Sequence, residues 1–322
     1  MTAYSKISSA GVEARVSTVE LSATPPLTGV CYGGPAAIAK RREVLFYLIT
    51  KQGGALLALT WCFLRPTGWV EWSGFVVFYV LSLLGINLGF HRYFVHRSFK
   101  TSAAMRWILG IWFQLGGFGS LLTLIADHRR HHACADRPGD PHSPYFDGYG
   151  RPLDGRKGFK HAHAGWIFED TTTDLVIYGR GLLDDPAILF CHRTRIHWYV
   201  VSAVLLPALW GYWLGGTGAI FGTVLIAGFL RMTAALHGFV LVNSLGHVNG
   251  SKPFRAEGEA RNNLLVAIVS LGEGWHNNHH AHPRVAFHGH SWREPDPTAW
   301  VIMLFERLGL VWDVRRPERA AA

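Results

Sequence analysis

Long runs of apolar residues alternate with polar, histidine-rich stretches along the 322 residues of this chain. A helix needs about 20 consecutive apolar residues to cross the hydrocarbon core of a membrane. Four runs approach that length, and they predict spanning helices near residues 45–64, 72–90, 198–216 and 217–242. The first run is the weakest because it contains Lys51. The pattern therefore predicts an all-α, multi-pass integral membrane protein.

Charge placement orients the four predicted spans. Lysine and arginine are concentrated before residue 45, between His91 and Ile196, and after His247, whereas the short connections near 65–72 and 215–218 carry little or no charge. Positively charged loops tend to stay on the cytoplasmic side. Both termini and the middle segment are therefore predicted to be cytoplasmic. The spans then form two helical hairpins beneath a cytoplasmic helical cap.

Composition and cysteine spacing narrow the classes of function. The chain is 49% hydrophobic and 16% charged, which excludes a disordered or fibrous protein. None of the four cysteines shows C-x-x-C spacing, so a zinc ribbon, a cysteine-ligated iron–sulfur cluster and a disulfide framework are excluded. The net charge of +9 is assigned to cytoplasmic loops rather than to nucleic acid binding, because no basic-aromatic module accompanies it.

The two ends of the chain differ from the part between them. Residues 1–43 are polar to mixed and lack the apolar core of a signal peptide, so they are predicted to form a flexible cytoplasmic arm. Residues 44–315 are predicted to form one membrane domain, and residues 316–322 a short C-terminal tail.

Histidine is distributed very unevenly. None of the 18 histidines lies in the first 90 residues, and eight of them form the boxes H-x-x-x-x-H, H-x-x-H-H and H-x-x-H-H. These residues are His91 and His96, then His128, His131 and His132, then His276, His279 and His280. Helix positions i, i+3 and i+4 share one face, so each of the last two boxes aligns three imidazoles. His91 and His96 are five residues apart, which predicts a frayed or unwound helix end.

The number of imidazoles points to two metal ions. A tetrahedral zinc site takes four ligands, so eight histidines suit two metals with five or six ligands each. Imidazole alone does not choose between zinc, copper, iron and nickel. The membrane setting and the ligand number favour a pair of irons used with dioxygen.

A fifth apolar run, Trp107–Ala126, conflicts with a single metal site. If this run crossed the membrane, the histidines after it would lie on the opposite side from His91 and His96. We therefore predict that it lies in the membrane interface or packs against protein without crossing.

The boxes and several other stretches together resemble the membrane fatty acyl desaturases of the stearoyl-CoA desaturase-like family. The other matching stretches are Asp127–His132, Asp140–Ser143, His163–Trp166, Asn243–His247 and Gly272–Pro283. The likeness runs from about residue 45 to residue 315. It implies insertion of a cis double bond into a long acyl chain of an acyl-CoA or acyl-lipid, with the ninth carbon as the default. It also implies two irons, dioxygen, and electrons from a separate carrier such as ferredoxin or cytochrome b5.

The resemblance implies two more site residues, and simple chemistry suggests others. By resemblance, His247 is a ninth metal ligand and Asn243 holds a metal-bound water. Ligating imidazoles usually donate their free N–H to a carboxylate or a carbonyl. The candidate carboxylates are Asp127, Asp140 and Glu273. The histidines predicted not to be ligands are His142, His161, His163, His282, His288 and His290.

Arg231 stands inside the last apolar run, where an unpaired charge is costly. It is predicted to face the protein interior or a water-filled pocket. It then either contacts substrate or pairs internally.

Two other functions remain open at this stage. A lipid hydroxylase or carotenoid ketolase uses the same kind of site and differs from a desaturase only in oxygen rebound. A non-catalytic metal carrier would place its ligands at mid-membrane, whereas these histidines are predicted at helix ends and in the cap.

Overall fold

The computed structural model describes residues 26–317, and helices dominate it. In chain order the helices are α1 (Gly34–Leu64), α2 (Trp69–Val95), α3 (Ala103–Leu115), α4 (Leu121–Cys134), α5 (Gly155–His163), α6 (Leu175–Tyr178), α7 (Pro186–Gly215), α8 (Thr217–Val248), α9 (Leu264–Val269), α10 (His276–Ala281) and α11 (Pro297–Arg307). Four short strands form two antiparallel pairs, β1 (Val30–Tyr32) with β3 (Thr171–Thr173) and β2 (Lys100–Thr101) with β4 (Val311–Trp312).

Helices α1, α2, α7 and α8 are long and apolar enough to cross a membrane, which confirms the four predicted membrane helices. They contain 31, 27, 30 and 32 residues. At about 1.5 Å per residue, each exceeds the roughly 30 Å thickness of the hydrocarbon core. Their outward faces carry large apolar side chains such as Phe63 and Trp213, as expected for contact with lipid.

Helix α1 begins at Gly34, inside the segment predicted to be a flexible arm. The described part of that segment, residues 26–43, also contains β1 and is tied to residues 166–171. Lys40 donates hydrogen bonds to the carbonyl oxygens of Trp166, Glu169 and Thr171. These contacts account for order that the polar sequence did not indicate. Residues 1–25 of the predicted arm and 318–322 of the predicted tail lie outside the described residues.

Arg231 faces the protein interior, as predicted, and is fully buried. Its Nε donates to the Ala227 carbonyl over 2.9 Å. Its terminal nitrogens donate to Ser82 Oγ over 2.7 Å and to the Ser202 carbonyl over 2.8 Å. The guanidinium therefore joins α2, α7 and α8, so its donors are used within the protein, as in the internal-pairing alternative.

The run Trp107–Ala126 is divided between α3 and α4. Gly117 and Gly119 have φ values of 69° and 105°, a left-handed backbone that ends α3 and redirects the chain. Ser120 then caps α4 by accepting a hydrogen bond from the Thr123 N–H. The 13 residues of α3 and the 14 of α4 are each too few to cross a membrane.

Helix α3 packs closely along the end of α2. A Cβ atom added to Gly85 or Gly89 would lie 2.6 Å from a backbone carbonyl of α3, so this approach requires glycine. Trp112 of α3 donates to the Leu81 carbonyl over 2.8 Å. The contact holds α4, which follows α3, against the histidine-bearing end of α2.

Candidate metal centre

Nine histidines converge in two adjacent clusters. The five-histidine cluster contains His91, His96, His128, His132 and His279. The four-histidine cluster contains His131, His247, His276 and His280. The rings of His132 and His280 stack with centroids 4.7 Å apart, so the clusters share a wall. These nine residues are the histidines predicted as ligands from the boxes and from the resemblance.

The first histidine pair is brought together by a π-helical segment, in place of the frayed or unwound helix end that the spacing predicted. From Gly85 to Val95 the backbone of α2 is π-helical, a form with hydrogen bonds from residue i+5 to residue i. The N–H of His96 accordingly donates to the His91 carbonyl over 3.1 Å. The wider turn places residues five apart on one face, and the two imidazole centroids lie 4.8 Å apart.

The other two boxes are helical, as their spacing predicted. On α4, neighbouring imidazoles serve different clusters: His128 and His132 turn to the first, and His131 turns to the second. On the short helix α10 the division is the same, with His279 in the first cluster and two others in the second. His247, near the end of α8, completes the four-histidine cluster.

In both clusters the Nε2 atoms point at one another. In the first, the Nε2 atom of His128 lies 3.0 to 3.1 Å from those of His91, His96 and His132. In the second, His276 Nε2 lies 3.0 Å from His247 Nε2 and 3.2 Å from His280 Nε2.

These spacings fit a metal ion with more than four ligands. Nitrogens bound at about 2.1 Å and at right angles lie about 3.0 Å apart, whereas a tetrahedral set lies about 3.4 Å apart. Convergent nitrogen lone pairs repel each other unless protons or a cation lie between them. The residues present therefore fit a metal ion in each cluster.

Two of the predicted carboxylates contact the Nδ1 atoms of clustered histidines. Glu273 Oε2 lies 2.5 Å from His91 Nδ1. Asp140 lies 3.0 Å from His131 Nδ1. Such contacts fix the tautomer, because the Nδ1 hydrogen is donated outwards and the Nε2 lone pair stays free for a metal. Glu273 and Asp140 thus occupy the orienting positions predicted for them.

Asp127, the third predicted carboxylate, lies elsewhere. It accepts a hydrogen bond from Thr173 Oγ1 and so braces α4 against β3. Its place is taken by Asp136, which sequence reasoning missed. Asp136 Oδ2 accepts from His247 Nδ1 over 2.8 Å, and its Oδ1 accepts from Ser143 Oγ over 3.1 Å. The pairing joins residues 111 positions apart, so no local spacing reveals it.

A fully buried arginine, Arg92, forms an ion pair with Glu273. Arg92 donates to Glu273 Oε1 from Nε and from a terminal nitrogen, over 3.2 and 3.0 Å. It also binds Asp296 through two parallel hydrogen bonds of 3.0 and 2.9 Å. Burial opposes ionisation of Glu273, but His288 and the Arg92 charge hold the pKa of that carboxyl well below its ordinary value. Glu273 is therefore ionised beside His91.

Two histidines predicted not to be ligands pack directly against the clusters. The ring of His142 lies 4.3 Å from that of His131, between centroids. The ring of His288 lies 4.5 Å from that of His279, and its Nδ1 is 3.2 Å from Glu273 Oε2. Neither His142 nor His288 belongs to the five-histidine or the four-histidine cluster; each groups instead with the carboxylate that contacts a cluster histidine.

Asn243 lies one helical turn before His247 on α8 and is largely buried. Positions i and i+4 share a helix face, so the Asn243 amide lies on the side of α8 that bears the four-histidine cluster. That cluster has one histidine fewer than its neighbour.

The imidazoles that α4 and α10 contribute to the clusters are neutral. Burial, followed by the charges of neighbouring histidines, holds the pKa of His128, His131 and His279 well below the ordinary value. A neutral imidazole keeps the lone pair that a metal binds, so these histidines are able to bind cations.

Acid should therefore release bound metal and destabilise the metal-free protein. The pKa values of the α4 and α10 cluster histidines are lower in the folded chain than in the unfolded chain, where histidine titrates near 6.5. Below about pH 6.5 the unfolded chain binds more protons, so the free energy of unfolding falls as the pH drops. Metal content after dialysis and the melting temperature of metal-free protein should both fall between pH 7.5 and 5. Values equal to those at pH 7.5 would contradict this assignment.

Comparison with known protein families agrees with this geometry. The family model described as fatty acid desaturase matches residues 67–291, well over half of the chain. The chain belongs to the fatty acid desaturase family. The resemblance drawn from the histidine boxes is thereby confirmed, and the chain is an integral membrane oxidoreductase that desaturates fatty acyl chains.

Individual relatives of this desaturase differ in the substrates that their names give. A hex-5-enoyl-[acyl-carrier protein] acetylenase from Moorena producens is 36% identical over 86% of this chain and 86% of its own. An sn-1 stearoyl-lipid 9-desaturase from Synechocystis is 32% identical over 77% of this chain and 72% of its own. Human stearoyl-CoA desaturase 5 is 30% identical over 74% of this chain and 70% of its own.

Proposed function

We propose that this desaturase uses two iron ions, held by the nine clustered histidines, to insert a cis double bond into a long acyl chain. The observation that supports it best is the division of nine convergent Nε2 atoms into groups of five and four. When bound there, iron supplies the dioxygen chemistry that breaks an unactivated methylene C–H bond, which no amino-acid side chain achieves.

The protein's own contribution is orientation and exclusion of water. Glu273, Asp140 and Asp136 hold the imidazoles of their partners in the tautomer that leaves Nε2 free. Asn243 is assigned to hold a water at the four-histidine cluster, because it lies one turn before His247 and that cluster has fewer imidazoles. Burial of the cluster limits the access of bulk water to the reacting methylene groups.

We place the metal centre on the cytoplasmic side. The histidine-bearing ends of α2 and α8 lie together, and the segments that follow them carry most of the arginine and lysine. Positive loops are retained in the cytoplasm. The short connections near residues 65–72 and 215–218 are then external, and the cap of α4, α5 and α10 faces the cytoplasm.

The reaction requires electrons, and we propose that a separate protein donates them. One dioxygen molecule forms two waters by taking four electrons and four protons. Two hydrogens, with their electrons, come from neighbouring methylenes of the acyl chain. The other two electrons come from an external carrier of the ferredoxin or cytochrome b5 type, and two protons come from water.

The relatives are named for acyl chains carried on coenzyme A, on a lipid or on acyl carrier protein. We propose an acyl-CoA or acyl-lipid, with the ninth carbon as the site of the double bond. A related oxidation, hydroxylation or ketone formation, is the alternative reaction at the same centre.

The fatty acid profile of cells expressing this chain tests the proposed reaction. Gas chromatography–mass spectrometry with double-bond localisation should show a new monounsaturated acid that is absent from cells expressing His279→Ala. A new hydroxylated lipid instead would overturn desaturation while keeping the metal centre. An unchanged profile from an expressed, iron-loaded protein with a working donor would overturn the acyl substrate.

A further inference from the structure

We propose that an exposed arginine and tryptophan surface near the C-terminus is where the external electron donor docks. This donor patch consists of Arg284, Phe287, His290, Trp292, Arg293 and Arg316. The inference rests on the proposed function, because that function requires electrons from outside the chain. The partner is a small acidic protein that carries one electron at a time.

The donor patch has the side chains and the shape of a protein-binding surface. Trp292 is 86% exposed, and the Arg293 guanidinium lies 5.0 Å from its ring centroid. Arg316 lies 5.4 Å from the ring of Phe287 in the same way. A shallow cavity of about 330 Å³ lies among Phe287, His290, Trp292 and Arg316. Tryptophan and arginine beside a cavity are the residues that most often anchor a partner protein.

The positive charge of the donor patch comes from Arg284 and Arg293, because Arg316 is paired with the Glu306 carboxylate. Arg284 and Arg293 are exposed, and within residues 26–317 neither has a carboxylate within 4.0 Å. The nearby Glu294 forms no ion pair with either arginine within residues 26–317; its carboxylate accepts from Asn278 Nδ2 and from the His290 N–H. Positive charge of this kind steers an acidic partner and aligns it on contact.

A short chain of contacts leads from the donor patch to the five-histidine cluster. His290 is two residues from His288, which is buried against the cluster. The ring centroid of His288 lies 4.5 Å from that of His279 and 5.3 Å from that of His91. Its Nδ1 lies 3.2 Å from Glu273 Oε2, which in turn lies 2.5 Å from His91 Nδ1. An electron arriving at this surface is therefore one packed residue away from two candidate ligands.

Turnover sets the number of docking events. The acyl chain supplies two of the four electrons that reduce dioxygen to two waters, and the donor supplies the other two. A one-electron carrier must therefore dock and leave twice for each double bond. A small surface with a few arginines and one aromatic anchor suits such a transient contact better than a permanent interface does.

The test uses the full-length protein with Trp292→Ala and Arg293→Glu variants. Two matched controls carry the same changes far from the donor patch: Trp213→Ala, at an 81% exposed tryptophan near the end of α7, and Arg65→Glu, in the connection between α1 and α2. The probes are a plant-type [2Fe–2S] ferredoxin and the soluble domain of cytochrome b5. Dithionite with methyl viologen reduces the metal without a docked protein.

Both patch variants should accept electrons from a protein donor at least about tenfold more slowly than wild type. Carbodiimide cross-linking of the donor to the chain should fall in parallel. Reduction by dithionite and iron content should be unchanged, and both controls should match wild type. The proposal would be overturned if the protein donor reduced both patch variants, and cross-linked to both, as efficiently as it does with wild type.

Two further results separate this inference from its alternatives. The first combines a spin label at position 292 that is broadened by oxygen dissolved in lipid with an unchanged rate of reduction of Trp292→Ala by the protein donor. That result would assign the surface to lipid headgroups and overturn donor docking. Absence of acyl oxidation in wild type even with dithionite would overturn the proposed function. Donor cross-linking that falls in the patch variants would still support the docking surface in that case.

Discussion

Replacing His247 with alanine should abolish desaturation and remove one of the two metal ions. His247 supplies one of only four Nε2 atoms in its cluster, whereas His279 is one of five in the other. Loss of a residue that merely orients a ligand costs about 10–100-fold in metal affinity or activity, so loss of the ligand should cost more than about 100-fold. Desaturation activity and iron per chain, measured on the same purified sample, test this.

His237→Ala is the matched control for that variant. His237 lies on the same helix, α8, ten residues earlier, and it is exposed and outside both clusters. The control should keep two metal ions and its activity. A His247→Ala protein that retained two irons and wild-type activity would show that the four-histidine cluster does not need this residue, and it would contradict our ligand assignment.

Replacing Arg92 with methionine should destabilise the protein by about 3–5 kcal/mol, because it leaves buried carboxylates without their cation. Arg92 is the common partner of Glu273 and Asp296, and all three side chains are buried. It also donates to the Ala286 carbonyl over 2.8 Å. One residue thus joins the end of α2 to two separate parts of the C-terminal segment. The melting temperature in detergent and the iron content should both fall.

Arg151→Met provides the comparison for Arg92. Arg151 pairs with Asp147 over 2.6 Å, but its side chain is 64% exposed. Exposed ion pairs contribute about 0–1 kcal/mol, so this variant should melt close to wild type. Equal melting temperatures for the two variants would mean that the buried network contributes no more than a surface pair does.

The membrane helices and the ligand histidines could be read from the sequence because their signals are local. The length of an apolar run predicts a membrane helix such as α7. The spacing in H-x-x-H-H matches the helical period and so predicts that His128 and His132 share one helix face. Hydropathy alone does not predict that the run Trp107–Ala126 stays on one side of the membrane; that prediction also needed the requirement that all the histidines reach one metal site. The break at Gly117 and Gly119 shows the backbone reason that it forms two short helices.

The residues that hold the ligand histidines and their carboxylates in place could not be predicted from the sequence, because their partners are distant along the chain. Asp136 contacts His247, and Arg92 contacts Glu273 and Asp296, across separations of 111 to 204 residues. Each of these side chains has an ordinary local setting that gives no sign of its partner. The π-helical end of α2 escaped prediction for a related reason. The π-helical segment lies where α2 packs closely against α3 at Gly85 and Gly89, a contact between elements that local spacing does not reveal.

The most direct test of the two-iron assignment is iron content together with Mössbauer spectroscopy of protein purified from cells grown with ⁵⁷Fe. We expect two irons per chain in wild type, bound at histidine-rich sites, and one in the His247→Ala protein. A single iron per chain, or zinc in place of iron, in a preparation that still forms the double bond would contradict the assignment.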